Sequence, residues 1–199
     1  MESSMTVQPP ENAVHPKTRA EWRVWLKENQ NRDGGVWFIR YKKSSGKPFV
    51  DVNDAIEEAI CFGWIDSLPR KLDEERTMLY FAPRKKGSNW SALNKIRAEK
   101  MIRAGLMTTG GMEKIQAAKE DGSWTALDAV EALVIPPDLD EAFDLYPSSR
   151  ESFEAFPPSV KRGILEWIVN AKRPATRQKR IDETARLAAE NIRANQWPK

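Results

Sequence analysis

The sequence predicts an α+β protein in which a small antiparallel sheet with flanking helices precedes a C-terminal helical unit. Two observations predict this class. Segments rich in β-branched and aromatic residues, which are typical of strands, all lie before Pro83, whereas apolar residues at helical spacing continue towards the end of the chain. The 199 residues are 40% hydrophobic and 31% charged, which is enough apolar material for a packed core and excludes wholesale disorder.

The elements predicted before Pro83 alternate between helix and strand. Thr18 and Glu21 form a capping box, in which a hydroxyl and a carboxylate satisfy the first free N–H groups of a helix, and apolar residues at helical spacing continue to about Asn29. Asp51 is placed to cap a second helix. The predicted strands of this part are Val36–Lys43, Trp64–Leu72 and Arg76–Ala82.

After Pro83 the pattern becomes mainly helical. Gly105 is placed to end the first of these helices, because glycine adopts the left-handed conformation that closes a helix. The apolar residues predicted to form the buried stripe of this helix are Trp90, Leu93, Ile96 and Met101. The residues predicted to cap the later helices are Thr108 or Thr109, Asp138 and Thr176.

The segment Leu133–Pro137 is the predicted boundary between two regions. It ends in two prolines, and a proline restricts both itself and the residue before it, so this segment is extended. The predicted organisation is a flexible N-terminal arm over residues 1–16, an α+β domain over residues 17–135 and a helical region over residues 136–199.

The residue types exclude much chemistry. One Cys excludes an intramolecular disulfide framework and multi-cysteine metal sites, and one His excludes metal sites built from His pairs. The sequence contains neither the glycine motif of dinucleotide binding nor a P-loop. It begins without the apolar core of a signal peptide, and no run approaches the roughly 20 apolar residues of a membrane span. We therefore predict a cytoplasmic protein without a metal, a cofactor or membrane insertion.

Few side chains remain as candidates for catalysis. His15 lies in the polar arm and is expected to be solvated. Cys61 lies at the end of the predicted second helix, whose C-terminus disfavours a thiolate, so we expect it to act as a small buried hydrophobic residue. Glu57 and Glu58 point about 100° apart on a helix and do not form a pair. Asp66 interrupts an apolar strand and is the candidate pocket acid, although an edge-strand acid or a loop cap explains such a residue as well.

The formal net charge of +3 conceals an uneven distribution. The net charge is +6 over Pro83–Arg103, −9 over Glu120–Phe156 and +6 over Pro157–Lys199. Surfaces of opposite charge can pair with each other within a fold or between subunits. A basic surface can instead bind nucleic acid, phosphate or another anionic partner. The sequence leaves both interpretations open.

The strongest local pattern is a basic turn before a helix. Cations next to a helix N-terminus favour an anion, glycine allows close approach of the backbone, and an indole can stack on a base or a sugar. The residues of this candidate anion site are Arg84, Lys85, Lys86, Gly87, Ser88, Asn89 and Trp90. The alternative is a solvated basic loop that caps the helix, with the Trp90 side chain in the core.

A second basic cluster surrounds the start of the last predicted helix. Its cationic residues are Lys172, Arg173, Arg177, Lys179 and Arg180. A charged hinge between two helices is the favoured interpretation, and an anion site is the alternative.

Three blocks of the sequence carry a family resemblance. They are CFGWIDS (Cys61–Ser67), PRKKGSNWSALNKIRAEKMIRAGLMT (Pro83–Thr108) and AKRPATRQKRI (Ala171–Ile181), and they resemble the recurrent blocks of the YdeI/OmpD-associated family in order and spacing. The resemblance extends from about Ala13 to Arg193. It implies a bacterial origin, a helical OmpD-associated segment at about Asp138–Arg193, and a connection with bacteriocin protection, antimicrobial-peptide or stress resistance, and outer-membrane porins. It implies no catalytic residues.

Three hypotheses about function follow. The preferred one is a non-enzymatic stress or antimicrobial-peptide resistance factor that binds a partner, either a protein or a small anionic ligand, with the acidic residues 120–156 and the basic helices as contact surfaces. The second is a binder of a phosphate-bearing ligand or nucleic acid through the turn from Arg84 to Trp90. The third is an enzyme of unknown reaction that uses Asp66, and it requires Asp66 and Arg84 to line one pocket.

Overall fold

The structure is a computed structural model that describes residues 8–195. These residues form two compact units. Unit 1 comprises residues 8–88 and 93–124, and unit 2 comprises residues 89–92 and 125–195. The chain thus passes from unit 1 to unit 2 after Ser88, returns to unit 1 at Leu93 and enters unit 2 again at Thr125. The sequence-based boundary near Leu133–Pro137 stays a prediction.

Unit 1 combines a sheet with helices, and unit 2 is helical, so the predicted α+β class is confirmed. The elements that begin before Thr125 are β1 (Ala13–Val14), α1 (Arg19–Glu28), β2 (Val36–Tyr41), a 3₁₀ turn (Lys43–Ser45), α2 (Val52–Cys61), β3 (Trp64–Lys71), β4 (Arg76–Pro83), α3 (Ala92–Arg103) and α4 (Thr109–Asp121). The later elements are α5 (Asp128–Glu131), α6 (Pro137–Asp144), α7 (Ser149–Ala155), α8 (Pro158–Val169) and α9 (Pro174–Ala189).

The sheet has the strand order β1-β2-β4-β3. The three long strands are antiparallel, as predicted, and Phe38 of β2 lies opposite Leu79 of β4. The short strand β1 was not predicted and pairs in parallel with β2, so the sheet is mixed. The pairing of β3 with β4 shifts between Asp66 and Pro69, where β3 contains one more residue than its partner.

One face of the sheet packs against α1 and α2. The indole of Trp22 lies 4.9 Å from the ring of Phe38 and 5.3 Å from that of Phe81, measured between ring centroids. The Trp22 Nε1–H donates to the carbonyl oxygen of Ala55, at 3.0 Å, so this buried polar atom is satisfied and α1 is tied to α2. We call the face that carries Phe38 and Phe81 the helix-covered face.

Two buried carboxylates lie between these helices. Glu57 and Glu58 of α2 are 5% and 3% exposed, and the guanidinium of Arg19 bridges them, with Nε 2.6 Å from Glu58 Oε1 and Nη2 3.1 Å from Glu57 Oε2. Arg23 donates to Glu58 at 2.5 Å, and Lys100 donates to Glu57 at 2.5 Å. The two carboxylates that the sequence analysis considered separate are therefore parts of one ion-pair network that joins α1, α2 and α3.

Unit 2 has a core of its own. Phe153 of α7 is fully buried, and its ring lies 5.2 Å from that of Phe143 in α6 and 6.1 Å from that of Phe156. Buried residues of α8 and α9 complete this cluster, among them Ile164 and Ile181. The helical unit therefore folds around aromatic and aliphatic side chains that the period of 3.6 residues predicts.

Helix starts that depend on one side chain were predicted correctly. The side chains of Thr18 and Asp51 cap α1 and α2, and Thr108 caps α4. The predicted caps at Asp138 and Thr176 are wrong, because α6 and α9 begin one or more residues earlier with a proline in the first turn. Proline is favoured there, since its fixed φ suits a helix and its missing N–H costs nothing.

The apolar stripe predicted for α3 is wrong in two positions. Leu93 and Ile96 are 53% and 59% exposed, whereas the buried residues of the helix are Ala98 and Met101. The prediction failed because apolar residues occur on more than one side of this helix, so their spacing does not single out the buried face.

The N-terminal arm is described from Gln8, and residues 1–7 lie outside the described part. Ala13 and Val14 form β1 on the sheet. The imidazole of His15, which the sequence analysis expected to be solvated, lies 4.8 Å from the ring of Tyr41 and is half-buried. Burial, together with the positive charges of Lys17 and Arg76, lowers the pKa of His15 to about 4. Residues 13–15 are thus part of the packed structure of unit 1.

We expect Arg19→Met to lower the free energy of unfolding by about 3 kcal/mol, because it leaves two buried carboxylates without their shared cation. Urea unfolding followed by tryptophan fluorescence measures the change. Arg32→Met removes an exposed arginine that makes no salt bridge within residues 8–195, and it should change stability by less than about 0.5 kcal/mol. Equal effects of the two substitutions would contradict the role of the network.

Candidate functional site

A cavity of about 530 Å³ opens on the sheet of unit 1. Its volume lies in the range of about 300–1,000 Å³ that is usual for sites of small molecules. The residues that line it are Arg40, Lys42, Val52, Pro69, Arg70, Lys71, Thr77, Met78 and Leu79. Four of these residues are cationic and none is acidic, so the cavity is a candidate site for an anionic ligand.

The alternation of side chains along the strands decides which of these groups face the cavity. Arg40 follows Phe38 by two residues, so both project from the helix-covered face. Thr77 lies directly opposite Arg40 on β4, and Lys71 lies directly opposite Thr77 on β3. A cation, a hydroxyl and a second cation therefore form one row across three strands, just beyond the start of α2.

Arg70 lines the cavity through its place on β3, but its side chain projects from the other face. Its guanidinium carbon lies 5.2 Å from the ring centroid of Trp37, which precedes Phe38 and therefore faces away from α1. The cations on the cavity side are thus Arg40, Lys42 and Lys71.

The apolar part of the cavity comes from the same face. Pro69 lies opposite Leu79 in the neighbouring row of the sheet, and Val52 is the first residue of α2. Leu79 and Val52 are half-buried. The site therefore places an apolar wall beside a row of polar groups, an arrangement that is typical of pockets for small organic molecules.

Arg40 stands out among the cations of the cavity. Its guanidinium lies over the ring of Phe49 at 5.2 Å, and its Nε is 3.5 Å from the carbonyl oxygen of Tyr41. Within residues 8–195, its two terminal nitrogens donate to no protein acceptor, and it forms no salt bridge. The strongest hydrogen-bond donors of the site thus have no protein acceptor in the described part of the chain.

The two lysines are held by the turn between β3 and β4. Lys42 Nζ donates to the carbonyl oxygens of Asp73 and Glu74, at 3.2 and 2.7 Å, and it makes no salt bridge in the described chain. Lys71 pairs with the exposed carboxylate of Glu74 and thereby lowers the pKa of Glu74. The charge of Lys42 also lowers the pKa of Glu74, but neither Arg40 nor Lys42 forms a salt bridge with a carboxylate of the described residues.

The sequence analysis did not single out this site. The available signal was the alternation of side chains along β2 and the residue that follows it. This alternation places Phe38, Arg40 and Lys42 on one face. An arginine two residues after a core phenylalanine indicates that the buried face ends there. The contribution of β3 could not be inferred, because the extra residue between Asp66 and Pro69 changes which side chains share that face.

The candidate anion site of the basic turn is only partly assembled. Arg84 is 3% exposed, whereas Lys85 and Lys86 are exposed. Burial lowers the pKa of Arg84 to about 10, and the negative charge of Asp66 opposes this shift. Arg84 and Asp66 thus act on each other within unit 1, but neither lines the cavity on the sheet. The negative charge of Asp66 therefore favours the charged form of the buried Arg84.

The backbone of the turn already holds an anion that belongs to the chain. Gly87 has a φ of +74°, which glycine tolerates, and its N–H donates to Asp121 Oδ2 at 3.0 Å. Hydrogen bonds from Ser123 and from the Gly87 N–H lower the pKa of Asp121. The Ser88 N–H donates to the carbonyl oxygen of Lys85. A carboxylate thus binds where the sequence predicts a phosphate.

The last two residues of the motif belong to unit 2. Asn89 Nδ2 donates to Asn170 Oδ1 at 2.8 Å. The side chain of Trp90 is 1% exposed, so of the two roles that the sequence left open, packing is the one observed, and its ring is not available for stacking on a base.

The second basic cluster divides into engaged and exposed residues. Arg177 binds Asp138 through Nε and Nη2, at 2.7 and 3.0 Å, and thereby lowers the pKa of Asp138. Arg180 donates to the carbonyl oxygen of Trp167, and its guanidinium lies 4.9 Å from the centroid of that ring. The exposed cations of the cluster are Lys172, Arg173 and Lys179.

The remaining reactive group is buried, as predicted. Cys61 is fully buried, and burial raises the pKa of its thiol to about 11, against the influence of Arg23. A thiol with this pKa stays protonated and is a poor nucleophile at neutral pH. Among residues 8–195, no three His, Cys, Asp or Glu side chains are grouped so that they could hold a metal ion.

Two known families match separate parts of the chain. Residues 14–114 match the family described as Domain of unknown function (DUF8412), and this match covers 101 of the 199 residues. The chain belongs to this family. Residues 132–191 match the family described as Bacteriocin-protection, YdeI or OmpD-Associated, and this match confirms the resemblance over that segment. The cavity on the sheet lies within the DUF8412 match, and most of unit 2 lies within the other.

Searches of curated proteins and of solved structures give no significant match to the chain. Within residues 8–195, no helix is long and apolar enough to cross a bilayer.

We expect Asp121→Ala to open the backbone of the basic turn to external phosphate. In the wild-type protein the Asp121 carboxylate occupies the Gly87 N–H, so the amide signal of Gly87 in ¹H–¹⁵N spectra should not respond to inorganic phosphate. In the variant the signal should shift saturably, and less so at higher salt. Glu120→Ala, which removes the same charge one residue earlier, is the control. A saturable shift in the wild type, or equal behaviour of the two variants, would contradict this interpretation.

Proposed function

We propose that this protein is a non-enzymatic bacterial protein of the cytoplasm that contributes to resistance against bacteriocins, antimicrobial peptides or related stress by binding a protein partner. The match of residues 132–191 to a family described by bacteriocin protection supports the resistance role. Unit 2, which contains those residues, has its own buried core and therefore presents a defined surface to a partner.

The state of the reactive groups favours binding over catalysis. The Cys61 thiol is buried, and burial raises its pKa. The imidazole of His15 packs against Tyr41. Asp66 lies where its charge acts on the buried Arg84. Each of these groups has a structural explanation that involves no substrate.

The charges of unit 2 indicate the chemistry of the partner. Acidic side chains of this unit are bound by its own arginines: Arg162 binds Glu131 through two nitrogens at 3.0 Å each, and Arg150 pairs with Asp140 and Asp144. The exposed cations at the start of α9 form a basic patch that consists of Lys172, Arg173 and Lys179. We infer that the partner presents an acidic surface to this basic patch.

The experiment that tests this proposal is complementation in a bacterial strain that lacks the gene. Cells that carry the wild-type gene should survive a cationic antimicrobial peptide better than the deletion strain. Charge reversal of the basic patch, Lys172→Glu with Arg173→Glu and Lys179→Glu, should abolish this protection, because like charges then face the partner.

The matched control reverses three exposed cations of unit 1, Lys27, Arg32 and Lys43, to glutamate and so changes the net charge equally. It should protect cells as the wild type does, provided that both variants accumulate and melt as the wild type does. Unchanged survival of the deletion strain would refute the resistance role. Full protection by the basic-patch variant would refute the binding surface.

A further inference from the structure

We propose that the cavity on the sheet of unit 1 is a binding site for an amphipathic oxyanion, a molecule in which one carboxylate or phosphate group is attached to an apolar chain. The site is independent of the resistance proposal, because it lies in the other unit and uses none of the basic-patch residues.

The charge of the site selects an anion. Arg40, Lys42 and Lys71 project from the cavity side, and the residues that line the cavity include no acid. Lys71 pairs with the exposed Glu74, but Arg40 and Lys42 form no salt bridge within the described residues. A bound cation would meet this positive charge directly, whereas a bound oxyanion would compensate it.

Arg40 is the residue that binds the head group. A guanidinium presents its N–H groups in a planar fork that matches the two oxygens of a carboxylate or phosphate. The guanidinium carbon lies 5.2 Å from the ring centroid of Phe49, and the terminal nitrogens have no protein acceptor in residues 8–195. Thr77 lies directly opposite Arg40 on β4, and its hydroxyl supplies a second hydrogen-bond donor.

The volume of the cavity and its apolar wall favour a ligand with an apolar chain. An inorganic anion would leave most of about 530 Å³ filled with water. Val52, Pro69 and Leu79 instead offer apolar surface next to the head-group position. Burial of one methylene group contributes about 0.8 kcal/mol, which corresponds to roughly a fourfold gain in affinity. An apolar chain therefore adds to the affinity with each methylene group that the cavity buries.

The first arm of the test is isothermal titration calorimetry of the full-length protein with hexanoate, octanoate, octyl phosphate, octanol and octylammonium. We expect octanoate to bind in a 1:1 complex about fifteenfold more tightly than hexanoate, since two further methylene groups are buried. We expect octanol and octylammonium to bind at least tenfold more weakly than octanoate. The comparison of octanoate with octyl phosphate identifies the preferred head group.

The second arm uses matched arginine variants. Arg40→Met should lower the affinity for octanoate at least tenfold and leave the affinity for octanol unchanged, because only the head-group contact is lost. Arg32→Met is the control, since this exposed arginine of unit 1 does not line the cavity, and the variant should bind octanoate as the wild type does. The loss for octanoate alone separates a binding role of Arg40 from general unfolding.

The apolar wall has a test of its own. Leu79→Ala should reduce the difference between octanoate and hexanoate while Arg40 still distinguishes octanoate from octanol. No saturable binding of octanoate or octyl phosphate at millimolar concentration, equal affinity for octanoate and octanol, or equal effects of Arg40→Met and Arg32→Met would each overturn the proposal.

Discussion

Burial of two adjacent carboxylates is the constraint on which the rest of unit 1 depends. Glu57 and Glu58 lie in α2 almost without contact to water, and a buried charge is tolerated only when it is paired. Arg19 satisfies both carboxylates and also Asp54, and the hydrogen bonds and charges of these acids raise the pKa of Arg19 although burial acts against it. Because the guanidinium is planar, this pairing fixes α1 against α2 at one position and orientation.

The position of α2 in turn determines where the cavity lies. The helices cover the part of the sheet that carries Phe38 and Phe81, and α2 begins at Val52, at the border of the covered area. The strands continue beyond this border, and there the same face carries Arg40 and Thr77. An apolar core and a cationic cavity thus follow one another on a single face, and the network around Arg19 holds the border between them.

The basic and acidic segments of the sequence prove to be linked in part within the fold. Asp121 binds the backbone of the basic turn, and Asp138 binds Arg177, so acids of the negative segment compensate cations on either side of it along the chain. Local patterns predicted what depends on neighbours in sequence, such as the caps at Thr18 and Asp51. They could not predict that Arg84 is buried while Lys85 is exposed, or that Gly87 binds a carboxylate 34 residues away, because these facts depend on tertiary packing. The cavity was missed for the same reason, since it requires the register of three strands.

We propose above all that the helix-covered face of the sheet ends in a site for an anionic ligand organised by Arg40. The most direct measurement is a ¹H–¹⁵N NMR titration of the full-length protein with octanoate, in which the Nε–H signals of the arginine side chains and the amides of the sheet are followed. We predict a saturable shift of the Arg40 Nε–H and of the Thr77 and Leu79 amides, with the Nε–H of the exposed Arg32 unchanged. Shifts centred on Arg70 and Trp37, or shifts that grow without saturation across the surface, would contradict it.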